Sequence, residues 1–380
     1  MEKKKRVLIV IESLKLGGGA ERMTSVLTKR LSNKYDIYIL TLKHFKDIYP
    51  FNGKYYTLFI NSDSNKFLKF KFIRNLYRTY KFYDSISPDL IISVTDYTNL
   101  FTIILKLIFR INIPLIAWIH CNPLIAYKDN MRFFISRLKI FYRLKAVNKI
   151  VTISEDVKKI IKKHFHIDDI RIKNIYNGID TEKIYQMSRE KIVDSQDIFD
   201  DNNLIKFITI GRLEVIKGHK YLINAFYKVK KKLSNSKLII IGTGSLKNKL
   251  KIFVRKNKLE DDVIFLGYRS NPFKYLARSN IFVLSSLTEG LPMVLLEALA
   301  CEIPIISTNC ETGPKEILDD GHYGILARVK DSEDLANKMF ELATNKKMLT
   351  EYSELSSNRA KFFRLDKFFD EWMKLIEYYI

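Results

Sequence analysis

Apolar residues in this chain come in short unbroken runs, separated by longer stretches in which they recur every three or four positions. In the first half the runs are Arg6–Glu12, Ile37–Leu42, Tyr55–Ile60, Leu90–Val94, Leu115–Trp118 and Ile150–Ile153. Runs of this length, rich in Ile, Leu and Val, read as strands buried on both faces. Helical spacing fills the intervals, at about 66–86, 97–110, 128–146 and 154–165. Strand alternating with helix predicts a parallel sheet with right-handed crossovers. A polar, acid-containing stretch, 186–203, reads as a linker. A second alternation then starts, with strands at Ile205–Ile210, Leu238–Gly242, Ile264–Leu266, Ile281–Leu284 and Pro304–Ser307, and helices from Ser332 to the end. Phe362, Phe363, Phe368, Phe369, Trp372, Leu375 and Ile376 predict a well-buried last helix. The class is α/β, in two domains with a boundary near residue 185, each long enough for its own core.

The turns after the strands carry the chemistry. Following Ile281–Leu284 comes Leu284-Ser285-Ser286-Leu287-Thr288-Glu289-Gly290-Leu291-Pro292-Met293-Val294-Leu295-Leu296-Glu297. Pro292 suits the first position of a helix, where its missing N–H costs nothing. The amides of Leu291, Met293 and Val294 would then stand free at the carboxyl edge of a sheet, an arrangement that binds phosphate. Glu297 lies one turn on and leans back towards that end, and Glu289 approaches from the turn itself. Two carboxylates repel a bare phosphate but accept hydrogen bonds from hydroxyl-rich groups attached to one. In Gly211-Arg212-Leu213-Glu214-Val215-Ile216-Lys217-Gly218, Arg212 can grip two phosphate oxygens and Lys217 adds a compact charge. Leu14-Lys15-Leu16-Gly17-Gly18-Gly19-Ala20-Glu21 is a glycine-rich strand-to-helix turn that allows close backbone approach. It lacks the G-x-G-x-x-G dinucleotide pattern.

The Glu-x7-Glu spacing inside EGLPMVLLEALA resembles the donor-sugar motif of family 4 retaining glycosyltransferases, and G-R-L-x-x-x-K-G matches that family too. So do Asn177-Gly178-Ile179-Asp180, Thr312-Gly313-Pro314-Lys315-Glu316-Ile317 and Gly321-His322-Tyr323-Gly324-Ile325-Leu326. The resemblance implies a GT-B fold: two Rossmann-like domains facing across a deep cleft, the last helix (361–380) returning to the first, and 186–360 binding the donor. It implies that Glu289 meets sugar hydroxyls, Glu297 the ribose diol, and Arg212, Lys217 and the amides at Gly290–Val294 the diphosphate. It places Gly18 and Gly19 at the donor phosphates, Gly242 in the donor site and Tyr268, in Gly267-Tyr268-Arg269, at the nucleobase. His120, ending the run Ala117-Trp118-Ile119-His120-Cys121-Asn122-Pro123, falls near donor sugar and acceptor. Cys301-Glu302-Ile303-Pro304 departs from the family's usual Cys-Gly at that helix end, which puts the turn type in question. The implied reaction moves a sugar from a nucleotide donor, UDP-linked by expectation, to a lipid-linked or oligosaccharide acceptor with retention. No Asp-x-Asp occurs, so metal independence and no cofactor are expected. The rival readings are a sugar-nucleotide epimerase of the same fold and a basic nucleic-acid-binding protein.

Composition adds a location. The net charge is +23 in 380 residues, with 65 Lys and Arg against 42 Asp and Glu. Residues 1–185 hold 34 of the basic and 16 of the acidic side chains, and 66–149 alone hold 15 against 4. Helices 66–86 and 128–146 interleave Lys and Arg with Phe, Tyr and Leu, which suits an anionic membrane surface. No nucleic-acid module is recognisable. Three cysteines (Cys121, Cys301, Cys310) give neither a disulfide frame nor a zinc site. Neither a signal peptide nor a spanning helix is read: Lys106, Arg110, Asn112 and Pro114 break the most apolar window. The expectation is a cytoplasmic protein, peripheral on the inner face of the membrane.

Overall fold

The computed structural model describes residues 3–58, 68–126 and 132–380, with side chains in the helices starting at Leu68 and Arg132 described from Arg74 and Phe134 onwards. Contacts divide the chain into two compact units, residues 1–177 with 366–380 and residues 178–365.

The first unit holds seven strands: β1 (Arg6–Ile11), β2 (Asp36–Thr41), β3 (Lys54–Thr57), β4 (Leu90–Val94), β5 (Leu115–Ile119), β6 (Lys149–Thr152) and β7 (Ile172–Asn174). All pair in parallel, in the order β3-β2-β1-β4-β5-β6-β7. Parallel strands need crossovers, and the helices supplying them cover the sheet, so the central strands are buried on both faces. Accordingly Val7–Ile11, Leu90–Val94 and Leu115–Ile119 have almost no exposed surface.

The second unit holds β8 (Ile205–Ile210), β9 (Ser236–Ile241), β10 (Val263–Gly267), β11 (Ile281–Leu284), β12 (Ile305–Thr308) and β13 (Ile325–Ala327). They too are parallel, in the order β10-β9-β8-β11-β12-β13. In each sheet the winding reverses once, between β1 and β4 and between β8 and β11. At such switch points the loops leave in opposite directions and open a crevice at the carboxyl ends of the strands.

The last helix, Leu365–Tyr379, belongs with the first unit. Phe368, Trp372, Leu375 and Ile376 form its buried face. Trp372 sets its edge on Trp118 of β5, ring centroids 4.7 Å apart. Ion pairs Lys34–Glu377 at 2.5 Å and Lys173–Glu371 at 2.7 Å flank the seam. Phe362, grouped by its pattern with this buried set, is 40% exposed.

Several expectations need correction. The stretch 186–203 is no free linker. Helix Thr181–Ser188 packs on the second unit, Gln196–Asp200 forms another short helix, Phe199 is buried, and Asp194 pairs with Arg269. The strand β7 went unread because only one of its three residues is fully buried. The turn at Cys301-Glu302 keeps the left-handed conformation that usually calls for glycine, Glu302 having φ +57°. Ser353 and Ser357 donate to its carbonyl (2.6 Å) and carboxylate (2.8 Å), which offsets the strain. The ends of helices 66–86 and 128–146, and of the strand at Tyr55–Ile60, lie outside the described residues.

Candidate active site

In the second unit the switch point brings two loops together. Beyond β8 the chain runs through Gly211 and Arg212 into a 3-10 turn, Val215–Lys217, and then Gly218. Gly218 has φ +64°, and a Cβ there would stand 2.0 Å from the carbonyl oxygen of Ser285, just past β11. Only glycine permits that approach. The loops are then laced: Leu287 N–H donates to the Ile216 carbonyl at 2.7 Å, and Ser285 Oγ to the Lys217 carbonyl at 2.9 Å.

This brings Lys217 to Glu289. The ammonium lies 2.5 Å from Oε1, with 18% of the lysine side chain and 10% of the glutamate side chain exposed. Ser286 Oγ donates to the same oxygen at 2.6 Å. The loop backbone is braced from β12 and beyond. Thr308 Oγ1 (2.6 Å) and Cys310 Sγ (3.0 Å) both donate to the Ser286 carbonyl, and Thr312 Oγ1 donates to that of Glu289. Burial pushes the Cys310 thiol up to about 12, so it stays a neutral donor. The sequence pattern set Lys217 beside Arg212 as a second phosphate cation. In the structure one of its three protons is committed to Glu289.

The helix after the turn spans Met293–Ala300, and Pro292 caps it rather than starting it. The Pro292 carbonyl accepts from Leu295 N–H at 3.0 Å, closing the first turn. Helix geometry leaves the amides of Met293 and Val294 without an intrahelical acceptor. Leu291 is buried, Gly290 half-buried, and the Gly313 backbone presses close on the Gly290 carbonyl. Glu297 is 4% exposed, on a helix buried nearly all round.

Arg212 is exposed. Next to it Glu214 accepts from Ser245 N–H at 2.9 Å and Ser245 Oγ at 2.7 Å, bonds that hold its carboxyl below the usual range. The glutamate thus ties the β8 loop to the Gly242-Thr243-Gly244-Ser245 loop after β9. Gly242, at φ +140°, lies so close to the Gly211 carbonyl that a Cβ would be 1.9 Å away. Tyr268 is 61% exposed after β10. Its neighbour Arg269 is held by Asp194 and by the Tyr275 hydroxyl, which also donates to Asp194.

The first unit carries the remaining candidates. Gly18 caps helix Gly19–Leu31, and Gly19 is its first residue. The Glu21 carboxylate folds back against Gly18, close enough that a Cβ there would clash with it. A phosphate at this helix end would therefore meet a resident carboxylate. His120 follows β5 and rests on Trp118, centroids 4.2 Å apart. The residue keeps some accessible surface, but Nε2 is buried and has no partner among the described residues. Burial lowers its pKa to about 3, so the ring is neutral.

Comparison with known proteins decides the family. The description "Glycosyltransferase Family 4" matches residues 17–183, and "Glycosyl transferases group 1" matches residues 188–359. An uncharacterized glycosyltransferase of Methanocaldococcus jannaschii is 35% identical over 84% of this chain and 87% of its own length. The chain belongs to glycosyltransferase family 4. The N-acetylgalactosamine-N,N'-diacetylbacillosaminyl-diphospho-undecaprenol 4-alpha-N-acetylgalactosaminyltransferase of Campylobacter jejuni is 26% identical, covering 91% of this chain and 92% of its own. Anabaena HepE, solved in complex with UDP, superposes with a TM-score of 0.78 at 18% identity over 98% of this chain and 99% of its own. The fold is GT-B, and the protein is an enzyme of the glycosyltransferase class.

Within the second unit of this glycosyltransferase, Arg212, Lys217, Gly242, Tyr268 and Glu289 to Glu297 all fall on or next to loops at the carboxyl edge of one sheet. Gly18, Gly19 and His120 occupy the corresponding edge of the other sheet. Sequence reasoning passed over Ser286 and Asp194. A serine two residues beyond a buried strand and three before a candidate acid is a usable signal for the first. Asp194 offers none, since it sits in a polar stretch with no motif.

Proposed function

We propose that this glycosyltransferase moves a sugar from a UDP-sugar to a lipid-linked or oligosaccharide acceptor, with retention and without a metal ion, in glycan assembly at an anionic membrane surface. The observation that carries the reading is the Lys217–Glu289 pair, which joins the turn after β8 to the loop leading into the Met293–Ala300 helix. It sets a cation, two amides and a carboxylate on one short stretch of sheet edge. Departure of a nucleoside diphosphate builds negative charge on its phosphates. Arg212, Lys217 and the Met293 and Val294 amides are suited to stabilise that charge. Glu289 would accept from sugar hydroxyls, and Glu297 from the ribose diol on the same ligand. Both roles are positioning as much as binding. His120, being neutral, would act as a hydrogen-bonding group rather than a cation. UDP as the nucleotide is supported by its presence in Anabaena HepE. A lipid-linked acceptor is supported by two bacterial relatives named for diphospho-undecaprenol substrates.

The test is a thermal-shift screen of UDP, GDP and their common hexose and N-acetylhexosamine conjugates. UDP conjugates are expected to raise the melting temperature, with or without EDTA. A response to GDP compounds alone would replace the nucleotide. Loss of the response and of turnover in EDTA, restored by Mg²⁺ or Mn²⁺, would overturn metal independence.

Membrane docking has its own support. Helix Leu68–Ile86 turns Asn75, Leu76, Thr79 and Tyr83 inward, and exposes Arg74, Tyr77, Arg78 and Lys81. The Lys81 ammonium sits 5.8 Å from the Tyr77 ring. Among the described residues no helix is long and apolar enough to cross a membrane. Each basic residue near an anionic surface contributes about 1 kcal/mol, so Arg74, Arg78 and Lys81 changed together to Ser should weaken binding to phosphatidylglycerol liposomes about a hundredfold at low salt. UDP binding should not change. Equal binding to neutral and anionic liposomes would count against the docking surface.

A further inference from the structure

Glu289 is gripped by one oxygen. Lys217 and Ser286 both contact Oε1, at 2.5 and 2.6 Å. Neither contact involves Oε2. An ammonium is a point charge with freely rotating donors, so Lys217 alone leaves the carboxylate free to turn. A hydroxyl from a fixed backbone is directional. Ser286 is wholly buried, and its own carbonyl is held by Thr308 and Cys310. From that fixed backbone its hydroxyl donates to Glu289.

We propose that Ser286 is a positioning residue for sugar transfer: its hydroxyl, with Lys217, locks Oε1 and turns Oε2 of Glu289 towards the donor sugar. The proposal rests on the reading of Glu289 as the sugar-facing carboxylate. Nothing in it requires Ser286 to touch the nucleotide. The sugar and the nucleoside diphosphate should consequently respond differently when the hydroxyl is removed.

The experiment compares Ser286→Ala and Ser286→Cys with the unaltered protein. Cysteine keeps the branching of the side chain, is somewhat larger, and offers only a weak donor, so it covers the case in which alanine fails to fold. UDP affinity is measured by calorimetry. Then the affinity for UDP-glucose, UDP-galactose and their N-acetylhexosamine counterparts is measured by calorimetry, and kcat and KM for their hydrolysis, in which water takes the sugar, by release of UDP. A hydrogen bond to a charged group is lost, so kcat/KM should fall about ten- to a hundredfold in both variants. The Kd for UDP should stay within about twofold, since no phosphate or base contact changes. A parallel loss of UDP affinity would show a general loop defect and overturn the proposal. So would unchanged kcat/KM in a folded variant. If the unaltered protein binds neither UDP nor any of the four UDP-sugars, the donor reading itself falls and takes this inference with it.

Discussion

Lys217→Met should lower kcat/KM about a hundredfold to a thousandfold, the usual cost of losing one preorganised charge-stabilising group. Two effects combine. The leaving diphosphate loses a cation. Glu289, with 10% of its side chain exposed, loses the partner that offsets its burial. Glu289→Gln should cost a similar factor, because a neutral amide accepts more weakly from sugar hydroxyls and no longer orients the ammonium. The two changes share one interaction, so their effects should not add. The Lys217→Met, Glu289→Gln protein is expected to lose little more than either single variant. Initial rates over a range of UDP-sugar concentrations, for the four proteins of the cycle, provide the measurement. Strict additivity would mean that the pair seen in the free protein has no part in the reaction. Arg212 behaves differently: it is exposed, so Arg212→Ala should leave the melting temperature alone while UDP affinity drops. Loss of a charge-assisted bond costs about 1.5–3 kcal/mol.

The parts of this molecule legible in its sequence are those where one physical demand acts alone. Strands β1, β4 and β11 are buried on both faces, so apolar residues fill them but for Arg6 and Ser93 and the run announces itself, while β8 keeps four apolar positions of six around Lys206 and Thr209. Gly218 and Gly242 mark turns because their φ values admit little else. The rest depends on pairings across long stretches of chain. Lys217 and Glu289 are 72 residues apart, and no local pattern joins them. The short β7 and the packed segment around Asp194 owe their structure to neighbours rather than to their own propensity. Glu302 shows a local rule overridden outright. Its left-handed turn persists without glycine because two serines of a neighbouring helix hold it. Pro292 fell one position from where its preference for a first helical turn would set it. Boundaries of that kind are the least determined feature of a helix.

Two histidines with lowered pKa, one in each unit, should make each unit sensitive to acid. His219 opens helix His219–Lys232, is 3% exposed, and its Nδ1 has no partner among the described residues. Burial, helped by the charge of Lys217, lowers its pKa to about 4. His120 in the first unit is lowered to about 3 by burial alone. An unfolded histidine titrates near 6.5, so between that value and the folded one the unfolded chain binds more protons. Stability is therefore fully present above about pH 6.5 and is lost as pH falls. By pH 4 the loss amounts to about 3 kcal/mol for each histidine. The units can be read separately, because both tryptophans, Trp118 and Trp372, are buried in the first. Urea unfolding followed by tryptophan fluorescence should show the first unit's midpoint falling steeply between pH 6.5 and 4. His120→Phe keeps an aromatic ring against Trp118 and removes the titration, so its midpoint should fall much less over the same range. Hydrogen exchange of the β8 and β9 amides, corrected for intrinsic rates, should show the matching effect of His219→Phe in the second unit. If either variant keeps the full acid sensitivity of its unit, the buried imidazole there is not the group that fails.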